Sequence, residues 1–326
     1  MATDSPKIKS KRNGKSHNIY LGADGGGTKT HIVLIDERKN LVCEGFAGAS
    51  NPLRVGLETA VANIIQAINS TCDQAQLSRG DIVSAVLGLA GVRREDLKRR
   101  VRQRFLSLTN IRQTEILTDA EIALYGTTLG KAGVVLIAGT GSICYGKDEN
   151  GIVAMAGGWG PIAGDEGSGI AIARRALQAI AKASDGRGKP TLLSEAAMEY
   201  FRSATAPDLL IAIYSPQIDN ARIAGFARFV VEAAQEGDEI AREILKEAGF
   251  ELGLSAFAVI KRLGLLNRKV PIGQVGSIFK AGRLLTDSLL ETVHSFAPKA
   301  FLAEPKLSPA NAAAVLAFEN FRKGEK

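Results

Sequence analysis

Residues 18–35 read NIYLGADGGGTKTHIVLI, which is two short apolar runs around a glycine-rich turn. The runs, Asn18–Ala23 and His31–Ile35, have the length of buried strands, and a third apolar run follows at Leu41–Phe46. Tight turns between such runs are typical of strands that pair with their neighbours. The stretch therefore predicts a three-stranded meander at the start of an α/β domain with a mixed sheet.

A second copy of this opening begins at Gly133. The apolar strand Gly133–Ala138 is followed by a glycine turn with threonine and by predicted strands at Ser142–Tyr145 and Ile152–Met155. Long helices are then predicted at roughly 168–182, 191–203, 222–235 and 239–264, and a further helix at 280–291. The repeat predicts a duplicated domain with a cleft between the copies, a boundary at the 130–132 linker, and a helical insertion in the second copy.

The composition is that of a globular protein with a substantial core. The 326 residues leave room for two domains of ordinary size, with 45% hydrophobic and 23% charged residues. No apolar run reaches the ~18 residues of a membrane span, and the N-terminal stretch lacks the apolar segment of a secretory signal. Cys43, Cys72 and Cys144 are far apart, which argues against a disulfide framework, a zinc site or an iron–sulfur cluster within one chain. A cytoplasmic location without membrane contact is expected.

The formal net charge of +7 raises the question of a nucleic-acid partner. The positive charge is concentrated in residues 1–20 and 93–104. The first cluster is interpreted as a disordered basic tail over residues 1–17, and the second as the solvated face of an amphipathic helix. Since neither zinc-finger spacing nor interleaved aromatic residues accompany these clusters, no nucleic-acid partner is expected.

The first glycine loop, residues 24–30, is a candidate phosphate site. Its backbone N–H groups and threonine hydroxyls can surround an anion, and Asp24 can hold water on a Mg²⁺ ion that neutralises the phosphates. A tight hairpin that needs positive φ is the alternative. The loop is not a Walker A motif, because Thr28 stands where the lysine belongs and a strand follows instead of a helix. The candidate nucleotide-binding residues here are Gly25, Gly26, Gly27, Thr28 and Lys29.

Two shorter signals lie further along the chain. The turn formed by residues 139–142 mirrors the first loop, and together the two loops can hold one polyphosphate. This turn adds Gly139, Thr140 and Gly141 to the candidate nucleotide-binding residues. Asp119 lies between an apolar strand and a helix, where the sequence by itself favours a helix N-cap over a catalytic role.

The segment 157–168 is dense in glycine and holds the only tryptophan, Trp159, and the adjacent carboxylates Asp165 and Glu166. A structural turn does not require that composition. An aromatic surface beside carboxylates and unpaired backbone groups is typical of sites that hold sugars by their hydroxyl groups. The segment therefore predicts a sugar site.

Taken in this order, the motifs resemble those of the sugar kinase/hsp70/actin ATPase superfamily. They are more closely similar to the BadF/BadG/BcrA/BcrD ATPase family, in its N-acetylglucosamine kinase-like branch, from residue 19 to about residue 320. The resemblance implies two ribonuclease-H-like, or actin-like ATPase, domains with a cleft between them. These are residues 18–130, completed by a C-terminal helix at 309–326, and residues 131–308.

The resemblance also assigns roles to residues. It implies that Asp119 is the general base, which reverses the preference for a helix cap. The segment Val275–Lys280 resembles the family's adenosine segment, which implies nucleotide contacts for Gly276, Ser277 and Lys280. The residues implied at the sugar are Asn51, Gly91, Asp119, Ser142, Trp159, Gly160 and Asp165.

The implied reaction is transfer of the γ-phosphoryl group of ATP, with Mg²⁺, to the 6-hydroxyl of an amino sugar. N-acetylglucosamine is the first expectation, followed by glucosamine, glucose and N-acetylmuramic acid. Ala90 stands where the animal N-acetylglucosamine kinases have serine, which keeps glucosamine and glucose open. Homodimers are common in the family.

Two other functions belong to related folds. One is an ATPase that activates a CoA-ester dehydratase, but such activators carry a cysteine-bound iron–sulfur cluster, and the cysteine spacing here does not resemble theirs. The other is a sugar-responsive repressor, which needs a DNA-binding helix-turn-helix that the polar N-terminal residues cannot form. The kinase is therefore the expected function.

Overall fold

The computed structural model describes residues 18–324, and the predicted basic tail over residues 1–17 lies outside them. Within the described residues, the contacts cluster into two compact units. The first unit includes the chain up to Asp119 and again from Ala310, and the second runs from Ala120 to Pro309. Each unit is built on one five-stranded sheet.

The sheet of the first unit has the strand order β3-β2-β1-β4-β5. The first three strands form the predicted antiparallel meander, and β4 and β5 continue the sheet parallel to β1. The strands are β1 (Ile19–Gly25), β2 (Thr30–Ile35), β3 (Leu41–Ala47), β4 (Ile82–Leu89) and β5 (Gln113–Thr118).

The sheet of the second unit repeats this topology in the order β10-β9-β6-β7-β8. Strands β6, β7 and β8 form the antiparallel meander, and β9 and β10 run parallel to β6. The strands are β6 (Gly133–Ala138), β7 (Ser142–Lys147), β8 (Val153–Gly157), β9 (Pro271–Val275) and β10 (Phe301–Ala303). The two sheets therefore have the duplicated architecture that the sequence repeat predicts.

The helices cover the sheets and form the helical region of the second unit. In chain order they are α1 (Pro52–Val55), α2 (Leu57–Ala75), α3 (Glu95–Thr109), α4 (Asp119–Thr128), α5 (Gly160–Ala163), α6 (Gly169–Ser184), α7 (Leu193–Phe201), α8 (Ala206–Ile213), α9 (Asn220–Ala224), α10 (Ala227–Gln235), α11 (Glu239–Arg262), α12 (Arg283–His294) and α13 (Pro309–Gly324). Among the helices of residues 18–324, none has the length and apolarity that crossing a membrane requires.

The C-terminal helix α13 packs directly on the first strand of the sheet. A Cβ atom on Gly22 would lie 2.2 Å from the carbonyl oxygen of Ala310 and from the nitrogen of Ala314, so only glycine allows this approach. Beside it, the ring of Tyr20 meets the rings of Phe318 and Phe321 edge-on, at centroid distances of 5.0 and 5.7 Å. The first unit is therefore assembled from both ends of the described chain.

The compact units divide at the start of α4, whereas the sequence predicts a domain boundary at the 130–132 linker. Ala120 and Leu124 of α4 pack against Val135 and Tyr145 in the second unit. Burial of this apolar helix face accounts for the position of the division.

Two helices differ from the sequence prediction. The stretch predicted as one helix at 222–235 is two helices, α9 and α10, separated at Gly225. A Cβ atom on Gly225 would lie 2.4 Å from the hydroxyl oxygen of Tyr200, so the chain approaches that ring closely at the break. The helix predicted at 280–291 begins at Arg283, because the 3₁₀ turn Ser277–Ala281 precedes it.

Candidate active site

Three candidate residues of the first unit lie at one edge of its sheet. Strands β1, β4 and β5 are parallel, so their carboxyl ends share an edge. Asp24 is near the end of β1, Gly91 follows β4, and Asp119 directly follows β5 and opens α4. The backbone N–H of Ala90 donates to the carbonyl of Gly25 over 2.8 Å, which fixes the turn after β4 to the end of β1.

The carboxyl groups of Asp24 and Asp119 interact electrostatically. Both side chains are half-buried. Burial and the negative charge of Asp119 raise the pKa of Asp24 to about 6, and the positive charge of Lys29 opposes this shift. The end of this sheet is therefore a region where additional positive charge is favoured.

The first glycine loop is held by its own backbone. The N–H of Gly26 donates to the carbonyl of Lys29, and the carbonyl of Gly26 accepts from Ser50 and Asn51 over 3.0 and 3.1 Å. None of the three glycines has a positive φ, so the hairpin does not need glycine for the reason that the sequence suggests. Glycine is required at position 25 by close packing instead, because a Cβ atom there would lie 2.2 Å from the Ser50 hydroxyl oxygen.

The other residues of the loop have different surroundings. Thr28 is exposed, whereas Thr30 is buried and its hydroxyl interacts with Gly48 and Ser50. The ammonium group of Lys29 lies over the ring of Phe46, 5.4 Å from its centroid. Thr30 therefore supports the loop, whereas Thr28 and Lys29 remain accessible.

Asn51 and Gly91, two predicted sugar contacts, lie side by side. The Oδ1 atom of Asn51 caps α1 by accepting from the N–H of Leu53 over 3.0 Å. A Cβ atom on Gly91 would lie 2.2 Å from that same oxygen, and Gly91 also has a φ of +82°. Together with the bond from the N–H of Asn51 to Gly26, these contacts place both residues beside the first loop.

The second glycine loop is bound to the start of α6. The carbonyls of Gly139 and Thr140 accept from the N–H groups of Gly169 and Ile170 over 2.8 and 3.2 Å. At Gly139 no heavy atom lies within 4 Å of the position that a Cβ atom would take, and its φ is not positive. Neither packing nor a positive φ therefore requires glycine at this position.

Asp165 supports the second loop from within the protein. Its buried carboxylate accepts from the N–H of Ser142 over 3.1 Å, and a Cβ atom on Gly141 would lie 2.8 Å from Oδ1 of Asp165. The Ser142 hydroxyl donates to the carbonyl of Glu166 over 2.7 Å. Burial raises the pKa of Asp165 despite the Ser142 N–H, which favours the charged form. The predicted sugar contacts Asp165 and Ser142 thus contact each other.

Trp159 and Gly160 lie in the open part of the predicted sugar segment. The side chain of Trp159 is 73% exposed, and that of Ile162 is 96% exposed. Gly160 has a φ of +77°, and no heavy atom lies within 4 Å of the position that a Cβ atom would take there. Its conformation rather than its packing therefore favours glycine. This segment presents a large apolar surface to solvent.

Gly276 contacts the strand that leads into the second loop. Its φ is +118°, and a Cβ atom there would lie 2.1 Å from the carbonyl oxygen of Ala138. Ser277 and Lys280 are exposed in the 3₁₀ turn that follows. Since β6 and β9 are parallel neighbours, Gly139 and the predicted adenosine residues lie at the same edge of the second sheet.

Arg54 is a residue near the first loop that the sequence motifs do not reveal. Its Nη1 atom lies 3.1 Å from the position that a Cβ atom would take on Gly27. Within the sequence, Arg54 is one residue of a short helical stretch and belongs to no motif. Only the fold of the loop onto α1 brings it to Gly27.

The residues that could hold a metal ion are few. In the described part of the chain, no group of three or more His, Cys, Asp or Glu side chains is arranged to hold one. Asp24, with the charge of Asp119 nearby, fits a Mg²⁺ ion whose other ligands are water and phosphate oxygens, because Mg²⁺ usually takes only one or two carboxylates.

Comparison with known proteins identifies relatives over nearly the whole chain. The profile of the BadF/BadG/BcrA/BcrD ATPase family matches residues 21–317. The chain is 33% identical over 298 residues to the N-acetylmuramic acid/N-acetylglucosamine kinase of Clostridium acetobutylicum, covering 91% of this chain and 97% of that protein. It is 33% identical over 316 residues to the N-acetyl-D-glucosamine kinase of Dictyostelium discoideum, covering 94% and 99%.

A solved structure has the same fold. It is a Chromobacterium violaceum protein described as a candidate N-acetylglucosamine kinase, with a TM-score of 0.74 and 26% identity over 93% of this chain and 100% of that one. The predicted resemblance and the predicted two-domain α/β fold are therefore confirmed.

Proposed function

We propose, from the premise that this chain belongs to the BadF/BadG/BcrA/BcrD ATPase family, that it is an ATP-dependent hexosamine kinase. It transfers the γ-phosphoryl group of ATP to the 6-hydroxyl of an amino sugar, with N-acetylglucosamine as the leading substrate. The observation that carries the proposal is the arrangement of Asp24, Gly91 and Asp119 along one sheet edge, with Asn51 beside Gly91.

Asp119 is the general base in this reaction. It accepts the proton of the sugar 6-hydroxyl while the bond from that oxygen to the γ-phosphorus forms and the bond to the bridging oxygen breaks, which leaves ADP. Asn51 and Gly91 hold the sugar beside it.

The glycine loops hold the phosphates through backbone N–H groups, as their chemistry allows. The first loop supplies residues 25–29, and the second supplies Gly139, Thr140 and Gly141. Gly139 is supported by its open surroundings, since only close approach by a ligand remains as a reason for glycine there. When bound with ATP, Mg²⁺ neutralises charge on the phosphate oxygens, and Asp24 is the residue proposed to hold it through water.

The other proposed site residues lie in the second unit. Gly276, Ser277 and Lys280 contact the nucleotide. Trp159 and Gly160 support the sugar from the exposed segment, and Asp165 and Ser142 contribute either directly or by fixing the second loop. A cytoplasmic location and a homodimer stay predictions.

The proposed substrate rests on the names of the relatives and on one position, Ala90, where this sequence departs from the animal N-acetylglucosamine kinases. Both curated relatives are named as kinases of N-acetylglucosamine, and one also as a kinase of N-acetylmuramic acid. Because Ala90 stands where those kinases have serine, glucosamine and glucose are also candidate substrates.

The alternative, an activator of a CoA-ester dehydratase, requires cysteine thiolates around an iron–sulfur cluster. Cys72 and Cys144 are buried, and the spacing of Cys43, Cys72 and Cys144 in the sequence does not resemble that of such activators. Cysteine spacing therefore weighs against the alternative.

Release of ADP from Mg-ATP tests the function. The assay compares N-acetylglucosamine, glucosamine, glucose, mannose and N-acetylmuramic acid with a control that contains no sugar. ADP release that depends on one sugar supports the kinase and identifies its substrate. Equal release with and without sugar contradicts it and favours the activator.

A further inference from the structure

We propose that Arg54 is a catalytic residue that contacts the transferring γ-phosphoryl group and stabilises the negative charge on it. This inference rests on the proposed kinase function and adds a residue to it. It follows from the position of the guanidinium group on the first glycine loop.

The guanidinium group of Arg54 lies against Gly27. Its Nη1, Cδ and Cζ atoms are 3.1, 3.5 and 4.0 Å from the position that a Cβ atom would take there. Among the described residues, the N–H groups of Gly27 and Thr28 have no hydrogen-bond acceptor. The tip of the loop therefore combines a cation with two backbone donors, which is a combination that binds phosphate oxygens.

The short helix α1, which carries Arg54, is fixed to the loop. The N–H groups of Ser50 and Asn51 donate to the carbonyl of Gly26, and the N–H of Val55 donates to the carbonyl of Asn51 over 3.1 Å. Pro52 at the start of α1 is buried and restricts the backbone further. The start of the Arg54 side chain is thus held in place before ligand binds, which is the condition under which a charged group stabilises a transition state well.

The charge balance at this edge of the sheet also calls for a cation. Two carboxyl groups, those of Asp24 and Asp119, already lie close enough for their charges to interact. A phosphoryl group would bring further negative charge to the same edge. Lys29 is the other cation of the loop, and its ammonium group is exposed over the ring of Phe46. Arg54 is the cation that lies against Gly27, and its planar guanidinium can bind two phosphate oxygens at once.

An anionic group on the sugar is the competing ligand for Arg54. N-acetylmuramic acid carries a carboxylate, whereas N-acetylglucosamine is neutral. The predicted sugar contacts Asn51 and Gly91 contact each other, whereas the guanidinium group lies against Gly27 of the phosphate loop. The contact with Gly27 favours the phosphoryl group as the ligand of Arg54. An experiment with the neutral sugar N-acetylglucosamine tests this contact, because that sugar offers Arg54 no carboxylate.

The test compares Arg54→Ala and Arg54→Lys with the wild-type protein and with Arg100→Ala. Arg100 is an exposed arginine of α3, outside the proposed site, and serves as the matched control. Steady-state kinetics give kcat and KM with N-acetylglucosamine. Binding of the sugar in the absence of ATP is measured by the fluorescence of Trp159, the only tryptophan of the chain.

We expect kcat of Arg54→Ala to fall by about 100-fold or more, by analogy with the loss of one preorganised charge-stabilising group. Sugar binding should stay within about threefold of wild type, because a phosphoryl contact does not hold the sugar. Arg54→Lys should recover part of kcat, since lysine keeps the charge but not the two parallel N–H donors. Arg100→Ala should match the wild type.

Three results would overturn the inference while leaving the kinase in place. The first is an Arg54→Ala variant with the kcat of Arg100→Ala, and the second is a loss confined to sugar binding. The third is a loss of activity towards N-acetylmuramic acid only, which would make Arg54 a reader of the sugar's carboxylate. A wild-type protein without sugar-dependent ADP release would instead contradict the proposed function itself.

Discussion

The negative charge of Asp119 acts on Asp24 across the carboxyl edge of one sheet and, after burial, is the largest influence that raises the pKa of Asp24. The two residues are 95 positions apart in the sequence, and β4, which lies between β1 and β5, brings the strand ends together. A sheet edge with two interacting carboxyl groups is suited to binding a cation, because a cation relieves the repulsion between their charges.

The first prediction concerns Asp119. Asp119→Asn should lower kcat by roughly 10²- to 10⁴-fold, because the amide cannot accept the proton of the sugar hydroxyl. Asparagine also suits the start of a helix, so α4 should form normally. Steady-state kinetics, together with the affinity for ATP, measure the effect. A variant that keeps wild-type turnover would remove the general-base assignment.

The second prediction concerns how the stability of the ligand-free protein depends on pH. The pKa of Asp24 is raised from 3.8 to about 6 on folding, so its stabilising contribution is complete below pH 3.8 and is lost as pH rises through 6. At pH 7.5 in EDTA, Asp24→Asn should therefore have a free energy of unfolding higher by roughly 1–3 kcal/mol.

Urea unfolding of wild type and Asp24→Asn, measured between pH 4 and pH 8 without nucleotide, provides the test. The advantage of the variant should shrink as pH falls and vanish near pH 4. An advantage that is the same at every pH would show that the Asp24 carboxyl is not the titrating group. The same variant should lose activity with Mg-ATP.

The third prediction uses two glycines. Gly139→Ala should fold with nearly wild-type stability, because its φ is not positive and no heavy atom lies within 4 Å of the position of the added carbon. It should nevertheless bind ATP more weakly, since the methyl group would occupy the space proposed for the phosphates. Gly276→Ala should lose stability by about 1–3 kcal/mol or more, because the added carbon meets the Ala138 carbonyl at a positive φ.

Thermal unfolding and nucleotide affinity, measured side by side, separate these two effects. If Gly139→Ala binds ATP as well as the wild type does, no ligand approaches Gly139, and the proposed role of the second loop is wrong.

The fourth prediction separates two roles of Asp165. If the residue only fixes the second loop, Asp165→Asn should keep most of the stability, because the amide oxygen can still accept from the Ser142 N–H. Asparagine also tolerates the φ of +64° at this position. Asp165→Ala should lose about 1–3 kcal/mol by leaving a buried N–H without an acceptor. Sugar affinity that falls in both variants, with stability retained in Asp165→Asn, would indicate a direct sugar contact.

Much of the fold can be predicted from the sequence because its strands are short and apolar. The strand Gly133–Ala138 is a buried run between turns, and its bounds coincide with those predicted. The break at Gly225 is not predicted from the sequence, and neither is the approach of the Tyr200 hydroxyl group, which leaves room only for glycine there.

The site is predictable where chemistry is concentrated in a motif and not where tertiary contact creates it. The loop at residues 24–30 is visible as a run of glycines beside an aspartate. The reason for Gly25 is not visible, because it is the approach of Ser50 rather than a positive φ. Arg54 cannot be predicted from the sequence for the same reason, since its position depends on the hydrogen bonds that join Gly26 to the start of α1.

The packing of α13 on β1 has a consequence for synthesis on the ribosome. Gly22 lies in the first described strand, whereas Ala310 and Ala314, which contact it, follow the whole of the second unit in the chain. During translation from the N-terminus, the second unit is complete before the first can acquire this helix. The face of β1 that α13 covers must therefore remain uncovered while roughly two hundred residues emerge, which makes the nascent first unit a candidate for protection by a chaperone.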